Sequence, residues 1–275
     1  MFSFNGGVVL DKKPVASVCI VTYNNASNIE KALESIYTHS DSENVEVYIV
    51  DNNSSDGTAD VVSEKFPQVI VIRNTDNKGF GHGHNAVLDK ISSDYHFIVN
   101  PDIIFKNDII GQIMDFMEDN KDIAMLVPKF VYENGEEQFT PKRKPSVKYM
   151  LGGRLERFGN PFKRWRDEYT MHNEKLSAPI DVGFCSGCFI AVRTEIFKKI
   201  SGFDERYFLY NEDADITRMA QFYGRTVYAP QFSVIHLWER AYMKSLKYFF
   251  IQISSMIKYF YKWRNNGRYV KRQND

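Results

Sequence analysis

The sequence predicts an α/β fold: a mostly parallel sheet flanked by helices, with a C-terminal amphipathic helical extension. Three observations predict it. Strand and helix patterns alternate four times in the first hundred or so of the 275 residues. The first strand pattern, 17–22 (SVCIVT), is a continuous apolar run, typical of a strand buried on both faces of a parallel sheet. Residues 242–263 repeat apolar side chains at the helical period.

The alternation is clearest before residue 100. A helix is expected over 28–38, because three apolar side chains share one face and Ser27 or Asn28 can cap it. The other strands and helices of this part are predicted at 45–50, 58–65, 69–73, 83–91 and 95–99. Strands that alternate with helices in this way predict a doubly wound parallel sheet.

The second half is less regular. Further elements are predicted as a helix over 107–120, a strand at 123–127, a hairpin over 131–139, a strand over 180–192, helices over 194–199 and 216–223, and strands at 227–229 and 233–235. Residues 141–172 carry nine Lys or Arg against three acids and are predicted to form a long, basic, flexible loop. A loop of that length in a compact domain is usually functional, although a solvated irregular loop is an equal alternative.

Composition limits the class of protein. Basic and acidic residues balance at 35 each, so net charge indicates no nucleic-acid partner. With three cysteines and no apolar run that would span a bilayer, we expect a cytoplasmic protein with reduced thiols. We also expect no signal peptide. Cys185 and Cys188 have a Cys-x-x-Cys spacing but no second pair, which favours buried thiols over zinc.

A carboxylate follows the predicted strand at 95–99. Pro101 should end that strand, because proline cannot donate to a sheet, and Asp102 would then lie at its carboxyl end. Open α/β sheets bind ligands at that edge, where a carboxylate can hold a divalent cation against a diphosphate. Residues 100–102 (NPD) by themselves are equally a turn.

A second group of acids comes at 211–215 (NEDAD), in the first turn of a predicted helix. Such acids can simply favour the positive end of the helix dipole. Alternatively, one of them can act as a base that removes a proton from a sugar hydroxyl, if the fold brings it opposite Asp102. His236 follows a strand and is structural unless it faces Asp102.

Other phosphate-binding folds are excluded by the first turn. Residues 23–27 (YNNAS) contain no glycine, so the Gly-x-Gly-x-x-Gly fingerprint of NAD and FAD proteins is missing. No Gly-Lys-Ser/Thr loop for ATP hydrolysis occurs either.

The C-terminal helix has one apolar and one basic face. Its apolar face consists of Tyr242, Leu246, Phe249, Phe250, Ile253, Met256, Ile257 and Phe260. Four lysines cluster on the other face, and the tail is basic. Such a helix either packs on its own domain or lies in an anionic membrane interface.

Four segments together resemble the family 2 glycosyltransferases, which have a GT-A fold, a Rossmann-like sheet. The likeness spans about residues 16–240. The segments are 17–24 (SVCIVTYN), 50–58 (VDNNSSDGT), 77–85 (NKGFGHGHN), and the ordered set of 100–102, Gly187 and 211–215. The third segment and the Asn-Pro-Asp variant look most like the rhamnosyltransferase branch, which uses dTDP-rhamnose.

The resemblance implies a role for each matched residue. Asp102 would hold Mg²⁺ or Mn²⁺, His236 would complete the metal site, and Asp213 would be the catalytic base, supported by Glu212 and Asp215. The residues implied in substrate binding are Thr22, Tyr23, Asn24, Asp51, Asn53, Asn77, Gly79, Asn85, Asn100, Gly187 and Trp238. Asn100 stands where the family's DXD-type motif begins with Asp, so the metal has one carboxylate fewer.

The resemblance therefore implies a metal-dependent, inverting transferase. It would move a sugar from dTDP-rhamnose or a UDP-sugar to a glycan or lipid-linked saccharide for a cell-surface polysaccharide. We expect a transferase domain at 1–240 and a basic helix and tail at 241–275, peripheral at the inner face of the cell membrane. A nucleotidyltransferase and a non-catalytic carbohydrate-binding scaffold are the alternatives from other classes. The oligomeric state stays open.

Overall fold

The computed structural model describes residues 15–41, 44–238 and 246–264. The strands are β1 (Ala16–Thr22), β2 (Val45–Asp51), β3 (Ile70–Arg73), β4 (Tyr95–Val99), β5 (Ile103–Ile104), β6 (Ile123–Val131), β7 (Glu137–Gln138), β8 (Ile180–Asp181), β9 (Phe189–Arg193) and β10 (Arg225–His236). The helices are α1 (Ile29–His39), α2 (Thr58–Lys65), α3 (Phe80–Asn85), α4 (Ile109–Asp119), α5 (Val147–Leu155), α6 (Phe162–Tyr169), α7 (Thr194–Lys199), α8 (Glu212–Ala220) and α9 (Leu246–Trp263). A 3₁₀ turn, Glu156–Phe158, follows α5.

The strands form one sheet in the order β3-β2-β1-β4-β9-β6-β10-β5, with β7 beside β6 and β8 beside β10. The first four are parallel, and β10 is parallel to β6. Strand β9 runs antiparallel between β4 and β6. The predicted α/β class is confirmed, and the parallel half is the part that the alternating pattern predicts.

Helices cover both faces of the sheet. All seven residues of β1 are buried, as the continuous apolar run predicts. Val18 and Ile20 contribute to a core on one side with α1 and α4, whereas Cys19 and Val21 contribute to a second core with α7, α8 and α9. Side chains alternate between the two faces along a strand, so β1 contributes side chains to both cores.

Residues 141–172 differ from the prediction of a flexible loop. They contain α5, the 3₁₀ turn and α6. Ser146 caps α5 by accepting a hydrogen bond from the Tyr149 N–H, and Gly152 lets α6 approach, since a Cβ there would lie 2.8 Å from Trp165 Cβ. Helix α5 carries two adjacent glycines and no regular apolar stripe, so helical periodicity could not identify it. Helix α6 does carry Phe162, Trp165 and Tyr169 at helical spacing, a pattern that the prediction of a loop did not use.

Four other boundaries also differ. The helix predicted over 83–91 is α3, which begins and ends earlier, and the helix predicted over 216–223 begins at Glu212. The strand predicted over 180–192 is split into β8 and β9, whereas the two strands predicted at 227–229 and 233–235 form the single strand β10. Glycines at 81 and 83 hid the start of α3, and the acids of α8 fit a cap as well as a first turn. The hairpin predicted over 131–139 is confirmed by β6 and β7.

The C-terminal helix docks by a different face from the one predicted. Ser255, Tyr259 and Trp263 are its buried residues, whereas Leu246 and Phe250 are 77% and 66% exposed. Tyr242 and most of the basic tail lie outside the described residues. Within the described ranges, no helix combines the length and apolarity needed to cross a membrane.

Candidate active site

The parallel strands bring several predicted site residues to one edge of the sheet. Thr22 pairs with Asp51 in the register of β1 and β2, and β4 lies on the other side of β1. The loop after β4, with Asp102, therefore follows the same edge. This is the place where open α/β sheets bind ligands.

Five of the residues implied in substrate binding lie together at this edge. Thr22 Oγ1 donates to Asp51 Oδ1 at 2.9 Å, and Asp51 Oδ2 accepts from the Ser54 N–H at 2.9 Å. Tyr23 is 45% exposed, so its ring is accessible for stacking. Asn24 and Asn53 have left-handed backbone conformations, with φ of 56° and 63°, which asparagine tolerates well.

The residues of segment 77–85 mainly fix the backbone. Gly79 has φ of 107°, and a Cβ there would lie 2.1 Å from the Phe208 carbonyl oxygen, so only glycine fits. Asn77 Oδ1 accepts from the Gly79 N–H at 3.0 Å. Asn85 pairs twice with the Phe203 main chain, at 2.8 Å each. The Asn85 amide is thus committed to the neighbouring loop.

Asp102 and His236 do face each other, as metal binding requires. Asp102 Oδ2 lies 3.4 Å from His236 Nε2, while Asp102 Oδ1 is buried without a hydrogen-bond partner among the described residues. Burial opposes a charge on His236, but hydrogen bonds to Asp102 and Cys188 outweigh it and raise the pKa of His236 to about 10. Cys185 is buried as predicted, whereas Cys188 is only partly buried.

Gln138, on β7, orients His236. Its Oε1 lies 2.8 Å from His236 Nδ1, and its Nε2 donates to the His236 carbonyl at 2.7 Å. Because a carbonyl oxygen only accepts, Nδ1 must carry a proton, which leaves Nε2 directed at Asp102. Sequence reasoning missed Gln138, since nothing in a hairpin pattern identifies a glutamine that pairs 98 positions away.

These residues fit a metal shared with a substrate. The described part of the chain holds no group of three or more His, Cys, Asp and Glu placed for a metal ion. Mg²⁺ and Mn²⁺, however, are commonly held by one or two protein groups together with substrate phosphates. Asp102 can supply one such group through its unpartnered oxygen. His236 can supply a second through Nε2 when a bound cation displaces the proton there. Near them, Asn100 donates its N–H to Cys188, and Trp238 stacks on His236 at 5.8 Å between centroids.

The predicted base begins α8. The Gly187 N–H donates to Asp213 Oδ2 at 3.3 Å, and the Ala214 N–H donates to Oδ1 at 2.9 Å. Burial raises the pKa of Asp213, whereas the charge of Lys142 and these N–H groups act in the opposite direction. Gly187 thus contributes its main-chain N–H. The sequence offered Lys142 only as part of a basic segment; its charge favours the ionised form of Asp213, although burial lowers the pKa of the Lys142 ammonium.

The surroundings of Glu212 stabilise its carboxylate form less well than those of Asp213. It is buried, and its Oε2 has no hydrogen-bond partner among the described residues. Burial and the neighbouring charge of Asp213 raise its pKa well above the usual range. Of the two adjacent carboxyl groups, Asp213 is the one whose surroundings favour the ionised form.

Asp215 holds α9 and does not contact Asp213. Its carboxylate accepts from Lys262 Nζ at 2.6 Å and from Trp263 Nε1 at 2.7 Å. These contacts do not indicate the predicted role of Asp215 in supporting the catalytic base, because both of its carboxylate oxygens accept hydrogen bonds from the C-terminal helix. Three acids in four positions do not reveal which of them points away from the site.

The comparisons with known proteins show the family and the fold of the chain. The model of the family described as "Glycosyl transferase family 2" matches residues 17–201. An N-acetylglucosaminyl-diphospho-decaprenol L-rhamnosyltransferase of Mycobacterium tuberculosis is 26% identical over 236 residues, which cover 81% of this chain and 76% of that protein. Rhamnosyltransferase WbbL of Escherichia coli is 24% identical, over 80% of this chain and 82% of its own length.

Two solved structures share the fold. The mannosyltransferase PcManGT of Pyrobaculum calidifontis, in complex with GDP-Man and Mn²⁺, superposes with a TM-score of 0.63 at 18% identity, covering 93% of this chain and 66% of that one. GalNAc-T7, solved with UDP, GalNAc and Mn²⁺, gives a TM-score of 0.67 at 14% identity, covering 94% of this chain but only 49% of its own. The predicted GT-A fold and rhamnosyltransferase resemblance are confirmed, and the chain belongs to glycosyl transferase family 2.

Proposed function

We propose that the protein is an inverting, metal-dependent glycosyltransferase that moves rhamnose from dTDP-rhamnose to a glycan or lipid-linked saccharide in cell-surface polysaccharide synthesis. The observation that supports this proposal is the presence of two carboxylates in different surroundings. Asp102 faces His236, and Asp213 lies in the first turn of α8. The loop before β9 connects them, because Gly187 contacts Asp213 and Cys188 contacts His236. The names of the two rhamnosyltransferase relatives support the choice of sugar.

The chemistry is a single displacement. Asp213 accepts the proton of an acceptor hydroxyl, and the resulting oxygen attacks the anomeric carbon from the side opposite the diphosphate. The new carbon–oxygen bond forms as the bond to the diphosphate breaks, so the anomeric configuration inverts. No covalent sugar–protein intermediate is required.

Asp102 and His236 would hold the cation. Bound there, Mg²⁺ or Mn²⁺ would offset the negative charge that develops on the leaving dTDP. Gln138 keeps the His236 ring oriented for this task. The Mn²⁺ in the structures of PcManGT and GalNAc-T7 supports a divalent cation.

The acceptor is proposed to be lipid-linked, and the protein to work at the inner face of the membrane. Arg154 joins α5 to α9, since it donates to Gln252 at 3.0 Å and its guanidinium lies 5.0 Å from the Phe249 ring centroid. The two segments carry exposed apolar side chains that we call the apolar platform: Val147, Leu151, Phe158, Leu246, Phe249 and Phe250. An exposed apolar patch beside cations is typical of a surface that binds an anionic lipid interface.

The test is nucleotide release from a donor panel. Wild-type protein with Mn²⁺ should release dTDP from dTDP-rhamnose, and Asp102→Asn and Asp213→Asn should each lower the rate by about 100-fold or more. Asp115→Asn, an exposed aspartate of α4, is the matched control and should leave the rate unchanged. Release from a UDP-sugar alone would overturn the donor assignment. If neither donor turns over, with or without a saccharide acceptor, and calorimetry detects no nucleotide binding, the chain is a scaffold.

A further inference from the structure

One loop contacts both the segment at 77–85 and the C-terminal helix. It consists of residues 203–211, in the chain between α7 and α8, and we call it the bridge loop. It ends immediately before α8, the helix whose first turn carries Asp213. The bridge loop therefore connects three parts of the molecule: a segment implied in substrate binding, the proposed base and α9.

Phe208 joins the main chain of the bridge loop to that of the segment at 77–85. Its carbonyl accepts from the Phe80 N–H at 3.1 Å. A Cβ at Gly79 would lie 2.1 Å from the same oxygen. Because these are main-chain groups in direct contact, a shift of the Phe208 carbonyl has to move the backbone at Gly79 and Phe80 or break this hydrogen bond.

Side chains strengthen the same contact. Asn85 Nδ2 donates to the Phe203 carbonyl at 2.8 Å and to Glu205 Oε1 at 3.0 Å, and Asn85 Oδ1 accepts from the Phe203 N–H at 2.8 Å. The other Glu205 oxygen, Oε2, lies 2.8 Å from His82 Nδ1. The bridge loop is thus attached to the segment at 77–85 by its first residues as well as by Phe208.

Other residues of the bridge loop contact α9. Ser255 Oγ donates to the Leu209 carbonyl at 2.8 Å, and Lys258 Nζ donates to the Arg206 carbonyl at 2.6 Å. The Ser255 side chain is only 1% exposed, whereas Lys258 is exposed. A hydrogen bond shielded from water is stronger than one open to it, so Ser255 provides the firmer of these two attachments.

The Leu209 carbonyl lies just before a costly stretch of backbone. Tyr210 and Asn211 both have left-handed conformations, with φ of 69° and 65°. Residues other than glycine keep such conformations only where the surrounding contacts hold the chain on both sides. Ser255 holds the chain on the side of Leu209, and α8 with Asp213 follows on the other side.

We propose that Ser255 is a positioning residue for the transferase reaction, because it holds the bridge loop that places the segment at 77–85 and Asp213. It acts through main-chain atoms and does not touch the reacting groups. Helix α9, which the sequence places outside the transferase domain, then belongs to the catalytic unit. The inference rests on the proposed function, but the attachment of the segment at 77–85 to α9 is measurable without turnover.

The direct test compares Ser255→Ala with Ser254→Ala by amide hydrogen exchange. Both substitutions remove a serine hydroxyl from neighbouring positions of α9, but Ser254 is exposed. The Phe80 amide should exchange faster in Ser255→Ala by about fivefold or more, the factor that corresponds to the loss of one hydrogen bond. Ser254→Ala should exchange like wild type. The amide of Ile20, in the core of β1, is the reference for global unfolding, since a general loss of stability would accelerate both amides equally.

The functional test measures the binding of dTDP with Mn²⁺ by calorimetry, together with kcat and KM for dTDP-rhamnose. Ser255→Ala should weaken dTDP binding by about threefold or more and lower kcat/KM, because the segment at 77–85 is less well held, whereas Ser254→Ala should match wild type.

Three results would overturn the inference. They are unchanged exchange at Phe80, equal acceleration at Phe80 and Ile20, and faster exchange at Phe80 with dTDP binding and kcat/KM unchanged. Each would make Ser255 a structural residue of α9 alone. If wild type neither binds dTDP nor transfers a sugar, the proposed function fails, whereas the exchange rates still decide whether α9 holds the segment at 77–85.

Discussion

Glu212 and Asp213 are neighbours in the chain with opposite environments. Asp213 receives two main-chain hydrogen bonds and the charge of Lys142, whereas one Glu212 oxygen is buried without a partner among the described residues. Two close carboxyl groups in a buried site do not ionise equally, and the better supported one ionises first. Sequence position alone cannot separate such a pair, because the difference comes from residues 142 and 187.

The two carboxyl groups should therefore respond differently to amide substitution. Asp213→Asn should lower kcat by about 10² to 10⁴, the usual contribution of a general base. Glu212→Gln should cost less than about tenfold, because an amide resembles the protonated acid that the raised pKa of Glu212 favours. Initial rates of dTDP release measure both. A Glu212→Gln loss as large as that of Asp213→Asn would show that Glu212 acts as an anion.

The same residues set the pH dependence. Burial raises the pKa of Asp213, so Asp213 gains its proton at a higher pH than an exposed aspartate when the pH falls. As the pH falls, activity should consequently decline at a pH above the ordinary aspartate pKa of about 4. A profile of kcat/KM between pH 3 and 9 measures this limb, and a decline only at or below the ordinary aspartate range would contradict the assignment.

A substitution at Gln138 tests the proposed metal site at Asp102 and His236. Gln138→Leu removes the acceptor for His236 Nδ1, so the ring loses its fixed orientation. Changes of this kind typically cost 10- to 100-fold in metal affinity. Calorimetric titration of Mn²⁺ in the presence of dTDP measures the loss without requiring turnover. Gln112→Leu, at an exposed glutamine of α4, is the control, and equal affinities for both variants would remove Gln138 from the metal site.

At the scale of elements, the predictable parts are those with a periodic pattern. Strand β1 and helix α1 follow from continuous or facial apolar runs, and the end of β4 follows from Pro101. Helix α5 does not, because it is stabilised by a cap at Ser146 and by contact across Gly152. Helix α6 has aromatic residues at helical spacing, Phe162, Trp165 and Tyr169, but they lie in a segment whose basic composition suggested a loop. The docking face of α9 was also hidden, since it depends on the distant Asp215.

Helix α9 is attached to α8 by a buried ion pair. Lys262 contacts both Asp215 and Asp204, at 2.6 and 2.9 Å, and the Arg218 guanidinium lies 3.8 Å from the centroid of a Trp263 ring. Burial raises the pKa of Asp215, whereas Lys262 and Trp263 oppose that rise. The helix that carries the proposed base and the C-terminal helix are therefore joined by an ion pair and a cation–π contact.

Removal of the ion pair between Lys262 and Asp215 should lower the stability of the fold more than the catalytic rate. Lys262→Met leaves Asp215 buried without its cation, a change that typically destabilises by roughly 3 to 5 kcal/mol. Lys258→Met, at an exposed lysine of the same helix, should cost less than about 1 kcal/mol. Urea unfolding measures both. Equal stabilities would mean that α9 does not depend on the ion pair.

For the molecule as a whole, the net charge does not describe the local charge of individual segments. The net charge is zero, so the protein as a whole has no electrostatic attraction to an anionic surface. Locally, several cations of residues 141–172 are paired, as in Lys148 with Glu168 and Arg166 with Glu156. Arg157, Lys163 and Arg164 are exposed, and the Arg157 guanidinium lies 4.8 Å from the centroid of the Phe158 ring of the platform. Membrane attraction should therefore require apolar contact and local charge together.

This combination predicts how binding to vesicles responds to mutation. The double variant Leu246→Ser with Phe250→Ser removes the two most exposed apolar residues of the platform. Burial of one such side chain contributes about 1.5 to 3 kcal/mol, so partition into phosphatidylglycerol vesicles should fall by tenfold or more. Ile70→Ser, at an exposed residue of β3, is the control and should partition like wild type. Higher salt should weaken binding, because it screens the cations. Equal partition of the double variant and wild type in a vesicle sedimentation assay would exclude the platform as the membrane surface.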